Sequence, residues 1–195
     1  MTSSPVKSPR MILYIHGFNS SSLSGKAQQL KTWLDERGRG AEYACPDLPH
    51  RPLEAVARLE DLIAGQPAGS VKLIGSSLGG FYATWLAEKW GVKAALINPA
   101  VHANLLLRDA IGPQKNYSSG EEYDFTAQHL AELDTLDLPR PTRLGHYLLL
   151  VETGDEVLDY RAAVDYYRGC EQIVHEGGDH GYTRFLDDLP TILDF

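Results

Sequence analysis

Five residues, Gly75-Ser76-Ser77-Leu78-Gly79, constrain this chain more than any others, because of what flanks them. The run Val71-Lys72-Leu73-Ile74 before them is short, β-branched and aliphatic, the pattern of a buried strand. After them, Leu78, Phe81, Tyr82, Trp85 and Leu86 recur at the period of a helix packed on one face. A G-x-S-x-G pattern at a strand-to-helix junction forces its serine into a strained backbone conformation, and the flanking glycines relieve the crowding between strand and helix. The serine hydroxyl then stands clear of the sheet, above the N–H groups and positive dipole end of a helix N-terminus.

Two blander readings compete. A phosphate-cradling turn would need G-x-G-x-x-G, or a Lys-Ser/Thr pair after the glycines, and neither is present. A purely structural turn would call for no special acid or histidine downstream, and both occur.

A chain of 195 residues is long enough for one domain with a sizeable core. The expected organisation is a polar, proline-punctuated leader over 1–10, disordered, and a single domain over 11–195. The 43% apolar and 23% charged composition is that of an ordinary soluble protein. A net charge of −8 disfavours nucleic acid or an anionic membrane as partner, since both ask for a basic face. No apolar run approaches a membrane span, and the N-terminus lacks the apolar centre of a signal peptide. Cys45 and Cys170, the only cysteines, fall at strand-like positions and read as buried thiols of a reducing compartment. The expected location is the cytoplasm.

Strand-like and helix-like stretches alternate along the chain. Strands are expected at Met11–Ile15, Ala41–Cys45, Val71–Ile74, Lys93–Ile97, His146–Thr153 and Cys170–His175, with amphipathic helices between most of them. This alternation implies an α/β fold with a mostly parallel sheet and helices on both faces. The segment from Ala100 to Arg143 is too long for a simple connection. It suggests two short helices around a polar, tyrosine-containing middle and reads as a small cap over the serine. Within it, Tyr117, Tyr123 and Phe125 are candidate substrate-binding side chains.

A serine nucleophile needs a base to take its proton and an acid to orient that base. In chain order Ser77 follows one strand, Asp155 a later one and His180 the last, and strand C-termini are where parallel α/β sheets build their sites. Asp155 is preferred to Asp159 because it lies in the turn directly after its strand, whereas Asp159 suits a helix cap. His180 is preferred to His175, which still belongs to a strand, and to His16, which ends one. Asp47 and His50 read as turn chemistry. His16-Gly17-Phe18 follows the first strand, and a loop of that kind supplies half of an oxyanion hole. The expected donors are the Phe18 and Leu78 N–H groups.

The segments His16–Ser20, Gly75–Trp85, Asn98–Val101, Thr153–Arg161 and Glu176–Gly181 resemble the YqiA-type esterases, small bacterial α/β-hydrolases. The likeness runs from about Met11 to the C-terminus. It implies a reduced α/β-hydrolase core and a serine esterase with Ser77, Asp155 and His180 as its triad. The substrate class so implied is a small-molecule ester of short or medium acyl chain. No metal and no organic cofactor is expected, since no cluster has metal-ligand spacing. An acyl thioesterase is the nearest alternative, and a hydrolase-fold protein that only binds is the alternative from another class.

Overall fold

The structure, a computed structural model, describes residues 11–195, so the expected leader lies outside the described residues. In chain order the elements are β1 (Met11–Ile15), α1 (Gly25–Asp35), β2 (Tyr43–Ala44), α2 (Pro52–Ala64), β3 (Val71–Ser76), α3 (Leu78–Trp90) and β4 (Lys93–Ile97). Then come α4 (Ala103–Leu106), β5 (Gly112–Lys115), β6 (Glu122–Phe125), α5 (Ala127–Leu136), β7 (Tyr147–Glu152), α6 (Tyr160–Tyr166), β8 (Glu171–His175) and α7 (Phe185–Asp194). Six strands form one parallel sheet in the order β2-β1-β3-β4-β7-β8, while β5 and β6 pair separately as an antiparallel hairpin.

The continuous apolar runs of the central strands are explained by burial on both faces. Side chains alternate across a strand, so Ile12 and Tyr14 point one way and Leu13 and Ile15 the other. The first set, with Ile74, Ala95, Ile97, Leu148 and Leu150, packs against α1 and α7. The second, with Leu73, Leu96, Leu149 and Val151, packs against α2, α3 and α5. Each leucine, isoleucine or valine among them, fully buried, contributes roughly 1.5–3 kcal/mol over its exposed state, so a one-residue slip of any central strand is strongly disfavoured.

Local chemistry sets the element ends. Pro52 opens α2 at its first turn, and Gly91, with φ of 64°, closes α3 in the left-handed region. The α5 helix starts at a capping box in which the His129 ring accepts the Thr126 N–H at 3.0 Å. Lys72, on the elbow strand, reaches past the sheet edge to donate to the Ile192 and Leu193 carbonyls at the end of α7. Burial pulls its ammonium down to about 8.

Two expectations change. The strand expected at 41–45 shrinks to Tyr43–Ala44, because a 3₁₀ turn takes Gly40–Glu42 and Pro46 follows one residue beyond its end. Between the two short helices expected in 100–143, α4 and α5, the polar middle adds the β5–β6 hairpin, which was not expected. Cys45 and Cys170 are free thiols, partly rather than fully buried. Among the described residues no helix is long and apolar enough to cross a membrane.

Candidate active site

The site stands on the C-terminal edge of the sheet, at the ends of β1, β3, β7 and β8. Ser77 sits between β3 and α3 with φ of 56° and ψ of −122°, a conformation a non-glycine residue holds only under constraint. That constraint is visible around it. The Ser77 N–H donates to the Ile97 carbonyl at 3.0 Å, and the Ser77 carbonyl accepts from the N–H of Gly80 and of Ala100. A Cβ on Gly79 would strike the Ile15 carbonyl, and one on Gly75 would strike the Gly79 carbonyl. Strand and helix can meet this closely only where both positions lack a side chain.

Asp155 lies in the turn after β7. Its side chain is 2% exposed, and its Oδ1 accepts the N–H groups of Val157 and Leu158 at 2.9 and 2.8 Å. His180 follows β8, with Nδ1 at 3.0 and 2.8 Å from the two Asp155 oxygens and Nε2 at 3.1 Å from Ser77 Oγ. An ionised carboxylate only accepts, so the imidazole proton belongs on Nδ1 and the Nε2 lone pair faces the serine. The three residues, 103 positions apart at the extremes, thus meet in one hydrogen-bonded line.

The loop after β1 passes on the other side of Ser77. Among the described residues, the N–H groups of Phe18 and Leu78 have no protein acceptor. The Leu78 N–H belongs to the first turn of α3, where no intrahelical partner exists. His16 is buried, and burial holds its imidazole below the ordinary value. Its Nε2 accepts the Leu48 N–H at 3.2 Å and its Nδ1 lies 3.1 Å from the Gly17 carbonyl, so it braces two loops. His175 pairs with Asp188 at 2.8 Å, away from Ser77. Asp159 caps α6 through the Arg161 N–H.

A cavity of about 490 Å³ opens beside Ser77 and His180, with Ser20, Ser24, Lys26, Gln29, Thr183 and Leu186 on its walls. A smaller one, about 40 Å³, lies under Phe18, Leu78, Tyr82 and Tyr123. The three candidate substrate-binding rings part company here. Tyr123 lines the smaller cavity, stacked on His50 at 4.4 Å between ring centres. Phe125 is 2% exposed and packs edge-on against Phe18, as a core side chain. Tyr117 is 85% exposed at the hairpin turn and lines neither cavity. In a two-stranded ribbon alternate residues share a face, and in β6 that face carries Tyr123 and Phe125 inward.

Two residues that sequence reasoning passed over border the histidine loop. Glu152, the last residue of β7, is completely buried. Burial pushes its carboxyl up, but hydrogen bonds from Thr183, Asp179 and Arg184 outweigh that and hold it below the usual range. Asn98, just beyond β4, is buried at φ of 40°. The signal available was an acid ending an otherwise apolar strand, which buries a charge and so demands partners.

Comparison with known proteins places this geometry. A UPF0227 protein of Shewanella woodyi is 26% identical over 195 residues, covering 95% of this chain and 98% of its own. Among solved structures, alpha/beta hydrolase domain-containing protein 10 from mouse superposes with a TM-score of 0.75 at 15% identity, over 100% of this chain and 90% of that one. The esterase domain of a Rhodothermus marinus protein does so with a TM-score of 0.62 at 18% identity, over 96% and 85%. These likenesses establish the α/β-hydrolase fold. Residues 11–195 match the family described as "Uncharacterised protein family (UPF0227)", and the chain, a YqiA-type sequence, belongs to that family.

Proposed function

We propose that this protein is a serine hydrolase that cleaves carboxylic esters of short or medium acyl chain through an acyl-enzyme intermediate. The observation that carries the reading is the line from Ser77 Oγ through His180 to a buried Asp155, beside two unpaired N–H groups. In this mechanism Ser77 Oγ attacks the ester carbonyl while His180 Nε2 takes its proton. The oxygen that gains negative charge is received by the Phe18 and Leu78 N–H groups. The C–O bond to the alcohol then breaks, and His180 returns the proton to that oxygen. Water repeats the sequence, His180 accepting its proton, and the acid leaves with Ser77 restored. Asp155 keeps the imidazole in the working tautomer and stabilises its charged form.

Because His180 protonates the leaving oxygen, the alcohol belongs on the histidine side, where the larger cavity lies. A cytoplasmic setting, which suits the two free thiols, is part of the same proposal. A fluorophosphonate probe with peptide mapping tests the reading directly, since only an activated serine reacts at a useful rate. Modification at Ser77, lost in Ser77→Ala, is the expected result. Labelling at Ser76, or none of the folded protein, overturns it and favours a binding role. A panel of p-nitrophenyl esters and acyl thioesters on the unlabelled enzyme separates esterase from thioesterase.

A further inference from the structure

The loop that carries His180 has no sheet or helix of its own to hold it, so its backbone polar groups must find partners elsewhere. Every N–H from Asp179 to Arg184 is bonded. Three of them converge on a single carboxylate. Glu152 Oε2 accepts the Asp179 and Thr183 N–H groups at 2.9 and 3.0 Å, and Oε1 accepts the Arg184 N–H at 3.2 Å and the Thr183 hydroxyl at 2.7 Å. No cation lies within ion-pair distance of this buried carboxylate among the described residues, though Lys26 is close enough to feel its charge, and four donors satisfy its oxygens directly.

The carbonyls on the same stretch are held from the neighbouring strand. Asn98 Nδ2 donates to the Asp179 and His180 carbonyls at 3.1 and 3.3 Å. Its Oδ1 accepts the Glu152 N–H at 3.0 Å, which joins the two residues to each other. The approach is close enough that a Cβ on Gly178, whose φ is 73°, would collide with the Glu152 carboxylate. Glu152 also lies three residues before Asp155. One strand end therefore presents both the acid that touches the His180 ring and the acid that holds the backbone on either side of His180, whose own N–H donates to Glu156 Oε2 at 3.1 Å.

We propose that Asn98 and Glu152 are positioning residues, a buried clamp that holds His180 between Asp155 and Ser77 without touching substrate. The inference rests on the serine-hydrolase reading. Its consequence is that removing the clamp leaves substrate binding largely alone and slows the chemistry, since a displacement near 1 Å of a reacting group costs on the order of 10²-fold.

The test compares Glu152→Ala, Glu152→Gln, Asn98→Asp and a core control, Ile63→Ala in α2, with the wild type. The readouts are the fluorophosphonate labelling rate at Ser77, kcat and KM on p-nitrophenyl butyrate, the melting temperature, and the downfield proton NMR signal of the His180 Nδ1–H. Glu152→Ala is expected to lower labelling and kcat by about 10²-fold with KM little changed, and to broaden the NMR signal. Glu152→Gln keeps an acceptor and a reversible bond to the Thr183 hydroxyl while orphaning one backbone N–H, so it should fall between Ala and wild type. Asn98→Asp is isosteric but turns a donor of two bonds into a repulsive oxygen, and should approach Glu152→Ala. The control should lose melting temperature and keep its labelling rate. Should Glu152→Ala not fold, the Gln and Asn98→Asp variants decide. Folded clamp variants that label at the wild-type rate, or that lose no more than Ile63→Ala at matched melting temperature, overturn the clamp. A wild type that never labels overturns the hydrolase reading, and the clamp with it.

Discussion

The two loops that flank Ser77 are secured in opposite ways. The histidine loop hangs from buried polar groups on the ends of β4 and β7, at the centre of the sheet. The loop after β1 is held from outside, by the β5–β6 hairpin. Asn19, buried at φ of 53°, is the attachment point. Its Nδ2 donates to Gln114 Oε1 at 2.9 Å, its Oδ1 accepts the Tyr123 hydroxyl at 2.6 Å, and its carbonyl accepts the Tyr117 N–H at 2.9 Å. Asn116 Nδ2 adds a bond to the Ser20 carbonyl. The hairpin in turn leans on α5, which Arg51 and Glu132 tie to α2. The histidine side is therefore tied to the main sheet, whereas the Phe18 side depends on a separate two-stranded ribbon. In this arrangement the 100–143 segment is joined to the loop beside Ser77 through Asn19.

That contrast can be broken or sharpened by substitution. The largest effect is expected at the histidine side, where Asp155→Asn should lower kcat by on the order of 10⁴-fold with the melting temperature nearly unchanged, because the imidazole loses its working tautomer. Phe125→Ala comes next and reads out differently. A buried ring truncated to alanine costs ~3–5 kcal/mol of stability, so thermal melting should fall while the preference among acyl chain lengths stays put. A shifted preference would return Phe125 to the substrate pocket.

Asn19→Ala should cut kcat/KM by roughly 10-fold or more, less than the 10²–10³ expected when an oxyanion donor is removed outright, since the Phe18 N–H is loosened rather than lost. Tyr123→Phe removes one of the same bonds, worth about 1 kcal/mol, and should give a smaller loss in the same direction. If Asn19→Ala leaves kcat/KM unchanged, the hairpin does not support the loop.

On the histidine side acid should act through Glu152. Glu152 titrates below its ordinary range when folded, so the unfolded chain binds the proton more readily. Stability from this group is present above the unfolded carboxyl value and is lost as pH falls through the folded one. Melting temperatures followed from neutral pH downward should drop less steeply in Glu152→Gln than in wild type. An equal slope would assign the acid sensitivity to other carboxylates. Asp159→Asn is the smallest change, since asparagine caps a helix about as well as aspartate, and assays of kcat and melting should barely distinguish it from wild type.

How much of this was legible beforehand depended on whether the physics was local. The strand runs at 11–15, 71–74 and 93–97, the glycines about Ser77 and the turns after β7 and β8 announce themselves within a few residues, because backbone sterics and two-sided burial act on neighbours. The placement of Ser77, Asp155 and His180 after successive strands followed from chain order, and the structure brings them within hydrogen-bond distance. The hairpin was not legible. Gly112–Lys115 and Glu122–Phe125 are short and largely polar, and their pairing is completed by contacts with a loop about a hundred residues earlier.

The sequence by itself determined the fold class and the order of its chemical groups, since both are written in periodicity and in residues that only particular backbone shapes accept. Tertiary structure alone decided that Tyr123 and Phe125, two residues apart, take separate roles, one beside a cavity and one in the core. It also decided that the glutamate closing β7 and the asparagine after β4 hold the histidine loop. Nothing in either residue's neighbourhood along the chain specifies a partner 27 or 81 positions away, because a buried polar group is satisfied by whatever the folded chain brings to it.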